Sequence, residues 1–497
     1  MIARPFRTLA LAAVLSASTA LAVQPAFAQN AHQTAPVQSA AQVKSRVIVL
    51  TDIGGDPDDQ ESMVRFLLYA NEFDVEGLVA SSSRHLRTGV QPQQIVQRVQ
   101  AYGQVLPNLR THAEGYPDTQ YLLDRIKAGS SEFGMEGVGE GKDTDASRWI
   151  IQTVDAPDPR PVYVLAWGGA VDLAQALWTV RATRSPEELA AFVAKLRVYS
   201  ISDQDNAGGW LRRYFPDMFW IASIHAHRHY NLSTWGGISG DQFYFFNGPD
   251  FDLVSRQWAR ENIRKGPLGE LYPIPEFIME GDSPTFLYLI PNGLGSPEHP
   301  DYGSWGGRYG KVSEWDGLWT DTSDYVVDDA GRVDQDNKAT IWRWREAYQN
   351  DFATRIQWTL HERFNGANHN PRLVLNGVAG TAPVELSARS GERVALTAEG
   401  SVDPDGDEVV YNWWQYRESE AVNRSPELTL QTRDPMHTEF VAPRVGEPTR
   451  FHVILEAKDK RTVGLYAYRR AIITVSPAGP SIAQVWPIRA EMPLTRI

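Results

Sequence analysis

Over most of the chain, short apolar runs alternate with amphipathic stretches. Val47-Ile48-Val49-Leu50 is continuously apolar, the pattern of a strand buried on both faces. It gives way to the polar turn Thr51-Asp52-Ile53-Gly54-Gly55-Asp56-Pro57-Asp58-Asp59, after which Met63, Val64, Phe66, Leu67 and Leu68 fall at helical spacing. The alternation recurs, predicting strands at 75–80, 162–166 and 197–201 and helices at 93–106 (closed by Pro107), 146–154, 170–181 and 186–196. This βαβα order predicts an α/β fold, a mostly parallel sheet flanked by helices, over residues 46–370. From about Asn376 the texture changes to short alternating strands at 390–397, 411–416, 450–457 and 466–475, separated by turns such as Asp403-Pro404-Asp405-Gly406-Asp407. That pattern predicts an all-β Ig-like sandwich over 376–476, followed by a tail at 477–497.

The first residues have a different character. Arg4 and Arg7 precede an Ala/Leu-rich apolar stretch at 9–23, and Ala26-Phe27-Ala28 forms a cleavage-type sequence. Residues 1–28 therefore read as a signal peptide and the Gln/Ala/Ser-rich residues 29–45 as a disordered leader. The expected location is periplasmic or secreted, with no membrane anchor. A formal charge of -13, from 61 acidic and 48 basic residues, argues against a nucleic acid polymer as partner. The absence of cysteine excludes disulfides, thiolate nucleophiles and cysteine-ligated zinc. Sixteen tryptophans leave room for exposed rings that stack on sugars.

The chemistry concentrates at strand ends. Asp52, Asp56, Asp58 and Asp59 crowd into one strand-to-helix turn, where like charges repel unless a cation holds them together. A hard divalent ion with oxygen ligands answers that need. Three further clusters adjoin apolar runs: Trp167-Gly168-Gly169, Ser202-Asp203-Gln204-Asp205-Asn206 and Glu280-Gly281-Asp282-Ser283-Pro284. Glycines in the first of these let backbone approach a ligand, whereas a lone Asp203 or Asp282 is equally a helix cap. Glu298, His299, Trp305 and Arg308 lie in a Gly-rich stretch suited to sugar hydroxyls and stacking, and Trp210, Trp235-Gly236-Gly237 and Trp315 add aromatic segments. His225, His227 and His229 alternate as on one strand face.

On these motifs residues 46–294 resemble the nucleoside hydrolase superfamily, in its cellulose-binding, nucleoside-hydrolase-like branch with a C-terminal Ig-like domain. The resemblance implies Ca2+ held by Asp52, Asp59, the carbonyl of Trp167 and Asp282, with Asp58 joining from a turn two residues longer than the family's. It places Asp203, Asp205 and Asn206 in the region that contacts sugar hydroxyls; Glu280, Glu298, Trp305 and Arg308 are added as substrate-binding candidates. Asp172 stands where the family often has Asn. Asp52 or Asp56 is the expected general base. Gly281 occupies the position where some relatives carry a histidine acid, so His299 or Glu298 is expected to replace it. The expected function is an exported Ca2+-dependent hydrolase of a glycosidic or N-glycosidic bond in a carbohydrate or glycoside. The alternative is a non-catalytic cellulose- or polysaccharide-binding protein on the same scaffold.

Overall fold

The computed structural model describes residues 44–225, 227–239, 248, 250–314, 316–327, 331, 333–420 and 425–478. The expected signal peptide, nearly all of the leader and the tail, and Trp315, lie outside the described residues. Among the described residues no helix is long and apolar enough to cross a membrane.

The apolar runs form the strands of one twisted sheet: β1 (Ser45–Thr51), β2 (Phe73–Ala80), β3 (Ile126–Ala128), β4 (Val162–Ala166), β5 (Leu196–Ser200), β6 (Phe219–Ala222), β7 (Tyr309–Lys311) and β8 (Leu318–Asp321). Their order is β3-β2-β1-β4-β5-β6-β8-β7, parallel throughout except for β7. The connecting helices are α1 (Asp58–Leu68), α2 (Pro92–His112), α3 (Thr119–Leu123), α4 (Asp145–Asp155), α5 (Val171–Thr183), α6 (Pro186–Ala194) and α7 (Ala207–Tyr214). Alternation along β1 assigns the two faces. Val47 and Val49 pack with α1, α2 and a late helix, Arg345–Leu360. Ile48 and Leu50 pack with α4, α5, α6 and α7.

Pro107 does not end α2, which runs on to His112. The helix continues to bury Leu109, and His112 stacks on Trp358 at 5.6 Å, so tertiary packing outweighs the lost backbone bond. The alternating histidines share no strand. β6 stops at Ala222, His227–Leu232 is a 3-10 turn, and His225 Nε2 pairs with Asp321 at 2.9 Å.

Past residue 380 the described residues form an all-β region of two sheets. One has the order Val384–Arg389, Tyr466–Ser476, Thr449–Asp459, Val409–Gln415; the other is Arg393–Thr397, His437–Val441, Gln431–Asp434. A separate apolar core lies between them. The strand Tyr466–Ser476 also grips the α/β layer. Tyr468 N donates to Asn292 O at 3.0 Å, and fully buried Arg470 donates to Leu294 O and Tyr302 O, each at 2.8 Å. Arg470 also lies 2.8 Å from His452 Nδ1; burial pushes that imidazole down to about 2, so it carries no proton there and accepts. Arg470→Met would strand these buried acceptors, with an expected loss of about 3 kcal/mol or more, read as a lower urea midpoint.

Candidate functional site

Strand order 3-2-1-4-5-6 reverses direction between β1 and β4, and open α/β sheets bind ligands outside the carboxyl ends of the strands at such a point. Asp52 follows β1 directly and Trp167 follows β4. The turn after β1 is closed by Gly55 N donating to Asp52 O at 2.8 Å, and Ile53 N donates to Thr51 Oγ1 at 3.1 Å. Asp58 and Asp59 then open α1.

Asp58, Asp59 and Asp282 bring carboxylate oxygens within 4.8 Å of one another, although Asp282 is more than 200 residues downstream. Asp52 stands beside them, 2% exposed, with Oδ2 accepting from Ser83 Oγ and Oδ1 without a partner. Asp59 accepts from Thr51 Oγ1. Asp282 is 1% exposed and its Oδ2 is also unpartnered. Burial, followed by mutual repulsion, drives these groups up: Asp58 to about 8, and Asp59 and Asp282 well above the carboxylate range. For Asp52 burial raises the carboxyl to about 6, against the pull of Ser83 and His85. Crowded, buried carboxylates, two of them with an oxygen that has no hydrogen-bond partner, are a donor set that fits a divalent oxygen-binding cation.

Asp52, Asp58 and Asp59 line a cavity of about 240 Å³, and Asp282 contacts the cluster without lining the cavity. Its walls are His85, Ile201, Gln204, Tyr230, Trp235, Phe277 and Ile278, with Asp56 at the rim. Tyr230 and Trp235 meet edge to face at 5.3 Å, and Trp235 Nε1 donates to Ser202 Oγ at 3.1 Å. Phe277, 48% exposed, sits at the mouth. His85 Nδ1 lies 3.0 Å from Asp56 Oδ2, which leaves Nε2 for a ligand. Ser83 fixes that histidine, since its hydroxyl accepts from His85 N at 2.9 Å while donating to Asp52.

Several expected site residues are elsewhere. His299 stacks on Tyr302 at 4.4 Å, away from the cavity. Glu298 binds Tyr163 Oη at 2.6 Å and Arg197, near the opening residues of β4 and β5, so it lies at the opposite end of the sheet. Trp305 is core, packed edge-on to Tyr468. Arg308 is buried against Asp324 at 2.6 Å. Glu280 is fully buried against Arg65 and does not line this cavity. Asp203 is held by Arg212 at 2.6 Å, and Asn206 accepts from Met135 N at 2.8 Å. Asp205 caps Ala207 N at 2.8 Å, and burial raises it to about 7. The Trp167 carbonyl accepts from Gln204 Nε2 at 2.7 Å. Gly168 and Gly169 make room for the side chains of Asp52 and Asp205 rather than exposing backbone. Asp172 serves the fold, accepting from Ser81, Thr144 and Ser130. At position 281 a Cβ would come 2.8 Å from Asp58 Oδ2, so glycine leaves room for that carboxylate.

Sequence reasoning missed His85, Ile201, Tyr230, Phe277 and Ile278. His85 had a signal, because Ser81-Ser82-Ser83-Arg84-His85 follows the apolar run of β2 as directly as the aspartates follow β1.

Residues 46–309 match the family described as cellulose-binding Sde182, nucleoside hydrolase-like domain, and residues 393–475 match the cellulose-binding protein Sde0182, C-terminal domain. A solved structure from Saccharophagus degradans, of a nucleoside hydrolase-related hypothetical protein associated with carbohydrate metabolism, is 34% identical. It covers 87% of this chain and 100% of its own, with a TM-score of 0.75. A crystal structure of an effector protein, 11% identical over 50% of this chain and 81% of its own, has a TM-score of 0.25, too low to bear on the fold. No curated protein matches the chain.

Proposed function

The chain belongs to the nucleoside-hydrolase-like family of cellulose-binding proteins, and from that premise we propose that it is a Ca2+-dependent hydrolase of a glycosidic or N-glycosidic bond, acting on a carbohydrate or glycoside. One observation carries the reading. Buried carboxylates from two distant segments, the turn after β1 and Asp282, converge beside an aromatic-walled pocket that Asp52, Asp58 and Asp59 line, with orphaned oxygens on Asp52 and Asp282. A pure binding surface has no need of that cost in buried charge. Asp52, Asp58, Asp59 and Asp282 would hold the ion. When bound, it would neutralise them and orient vicinal sugar hydroxyls and a water.

The protein's own groups do the rest. Asp52 Oδ1, free of protein partners, takes the proton of the attacking water. The remaining carboxylates stabilise positive charge developing at the anomeric carbon. His85, oriented through Nδ1 by Asp56, gives a proton from Nε2 to the departing atom. Tyr230, Trp235 and Phe277 pack against the sugar ring and exclude water, and a cavity of about 240 Å³ suits a chain end or a small glycoside. The amino-terminal segment, with its cleavage-type Ala26-Phe27-Ala28, supports action outside the cytoplasm.

The test is a reducing-sugar assay on a panel of oligosaccharides, aryl glycosides and nucleosides, with Ca2+ and with EDTA. Ca2+-dependent product supports the reading. The second reading, a binder without catalysis, is favoured by the cellulose-binding relatives; retention on insoluble cellulose with no product from any substrate would establish it and retire hydrolysis. His85→Ala should slow alkyl glycosides by about 10²-fold or more, and nitrophenyl glycosides, whose leaving groups need no proton, far less. Equal losses on both would remove the acid role.

A further inference from the structure

Asp282 reaches the site from a turn whose first residue, Glu280, is one of the few non-glycine residues with positive φ among the described residues, at 52°. That conformation costs about 1–2 kcal/mol and persists only where surroundings over-determine it. They do so here. Glu280 N donates to Glu61 Oε2 at 2.9 Å, and the Glu280 carboxylate lies 2.7 Å from Arg65 Nε. It accepts from Tyr272 Oη at 2.7 Å and from Ser283 Oγ at 2.8 Å. Arg65 and Glu280 are both fully buried, and the guanidinium carbon sits over Phe352, 4.0 Å from the ring centre.

Two of these contacts come from α1, the helix that opens with Asp58 and Asp59. Asp58, Glu61 and Arg65 follow one another at i, i+3 and i+7, one face of the helix. Ser62, three residues after Asp59, meets Ser283 Oγ at 3.2 Å. The helix that supplies two carboxylates therefore also fixes the turn that supplies the third, through groups on both sides of Asp282. A buried ion pair contributes little net stability against an apolar replacement, so stability alone is a poor reason for this one.

We propose that Glu280, Arg65 and Glu61 form a positioning clamp that registers Asp282 against Asp58 and Asp59, and thereby sets the affinity of the site for its divalent cation. The clamp rests on the reading that this cluster holds Ca2+. It acts through Asp282 and touches no substrate. Its geometry accounts for a residue type that a ligand-contact role for Glu280 leaves unexplained, a carboxylate that does not line the cavity.

Calorimetric titration of the metal-stripped full chain with CaCl2, alongside urea unfolding of each variant, tests it. Glu280→Ala should weaken Ca2+ binding by about 30-fold, within the range for groups that orient metal ligands. Glu280→Gln keeps the shape but only one of the two oxygens that accept from Tyr272 and Ser283, so its loss should be smaller than that of Glu280→Ala. Tyr69→Phe, which removes a buried hydrogen bond to Asp351 just past the far end of α1, should lower stability and leave Ca2+ affinity unchanged. Should Glu280→Ala fail to fold, Arg65→Lys reads the same quantity, since an ammonium cannot reproduce the guanidinium contacts, and about a 10-fold loss is expected. Unchanged affinity in the Glu280→Ala chain, or in Arg65→Lys where that chain does not fold, overturns the clamp. So does a loss in Tyr69→Phe as large as that in Glu280→Ala, which would mean general loosening. Absence of Ca2+ binding by the parent is a separate result: it overturns the underlying metal reading, and the clamp with it.

Discussion

Asp59→Asn should abolish turnover, with kcat/KM on the best glycoside falling by about 10³-fold. Asp59 is 3% exposed, opens α1, and is fixed by the Thr51 hydroxyl from the end of β1. The amide keeps the shape and the acceptor for Thr51 but removes the negative charge, so the fold should survive while the floor of the pocket loses a ligand. Folding is checked by circular dichroism, and activity at saturating Ca2+ shows whether excess metal compensates. Activity within 10-fold of the parent would mean that this carboxylate lies outside the chemistry. Asp203→Asn is the useful contrast: Asp203 pairs with Arg212 and stands off the cavity, so it should leave the rate near that of the parent.

The second large effect is on stability in the absence of metal. Asp52 is raised from 3.8 to about 6 and Asp58 from 3.8 to about 8, both chiefly by burial. The folded chain therefore holds protons that the unfolded chain has already released. Folded-state binding of extra protons means that stability falls as pH rises. The contribution is complete below about pH 4 and is lost as pH passes through about 6 for Asp52 and about 8 for Asp58. In EDTA the melting temperature should accordingly drop between pH 5 and pH 8.5, by the equivalent of about 2 kcal/mol or more. Ca2+ should restore it at pH 8.5 and do little at pH 5, where protons occupy the same oxygens. A melting temperature in EDTA that is flat or rising over this interval would contradict the buried, crowded state of these groups.

Much of the α/β layer was legible because its strands are continuous apolar runs, and the strand 162–166 ends where its pattern ends. The aspartate turn was legible for a related reason. Four carboxylates at the end of a buried strand conflict with local chemistry unless something resolves the conflict, and that conflict can be seen without coordinates. Asp282 came through the resemblance to a family. The pocket walls were harder. Tyr230, Phe277 and Ile278 come from irregular segments with no periodicity, and nothing local marks them as neighbours of β1. His85 could have been found by applying to β2 the rule used for β1. Trp305, Glu298 and Arg308 misled because a Trp beside Gly, or a charged residue in a Gly-rich stretch, looks the same in sequence whether it faces water or a partner. Here the partners are Tyr468 and Tyr163 with Arg197, more than 100 residues away, and Asp324, 16 residues on.

The most direct test of the metal centre is the stoichiometry of Ca2+ binding, measured by equilibrium dialysis at pH 7.5 on metal-stripped parent and on Asp282→Asn. The parent should retain a bound ion that Asp282→Asn fails to hold. Equal retention by both chains, or none by the parent, would contradict a cation shared by Asp282 and the aspartates that follow β1.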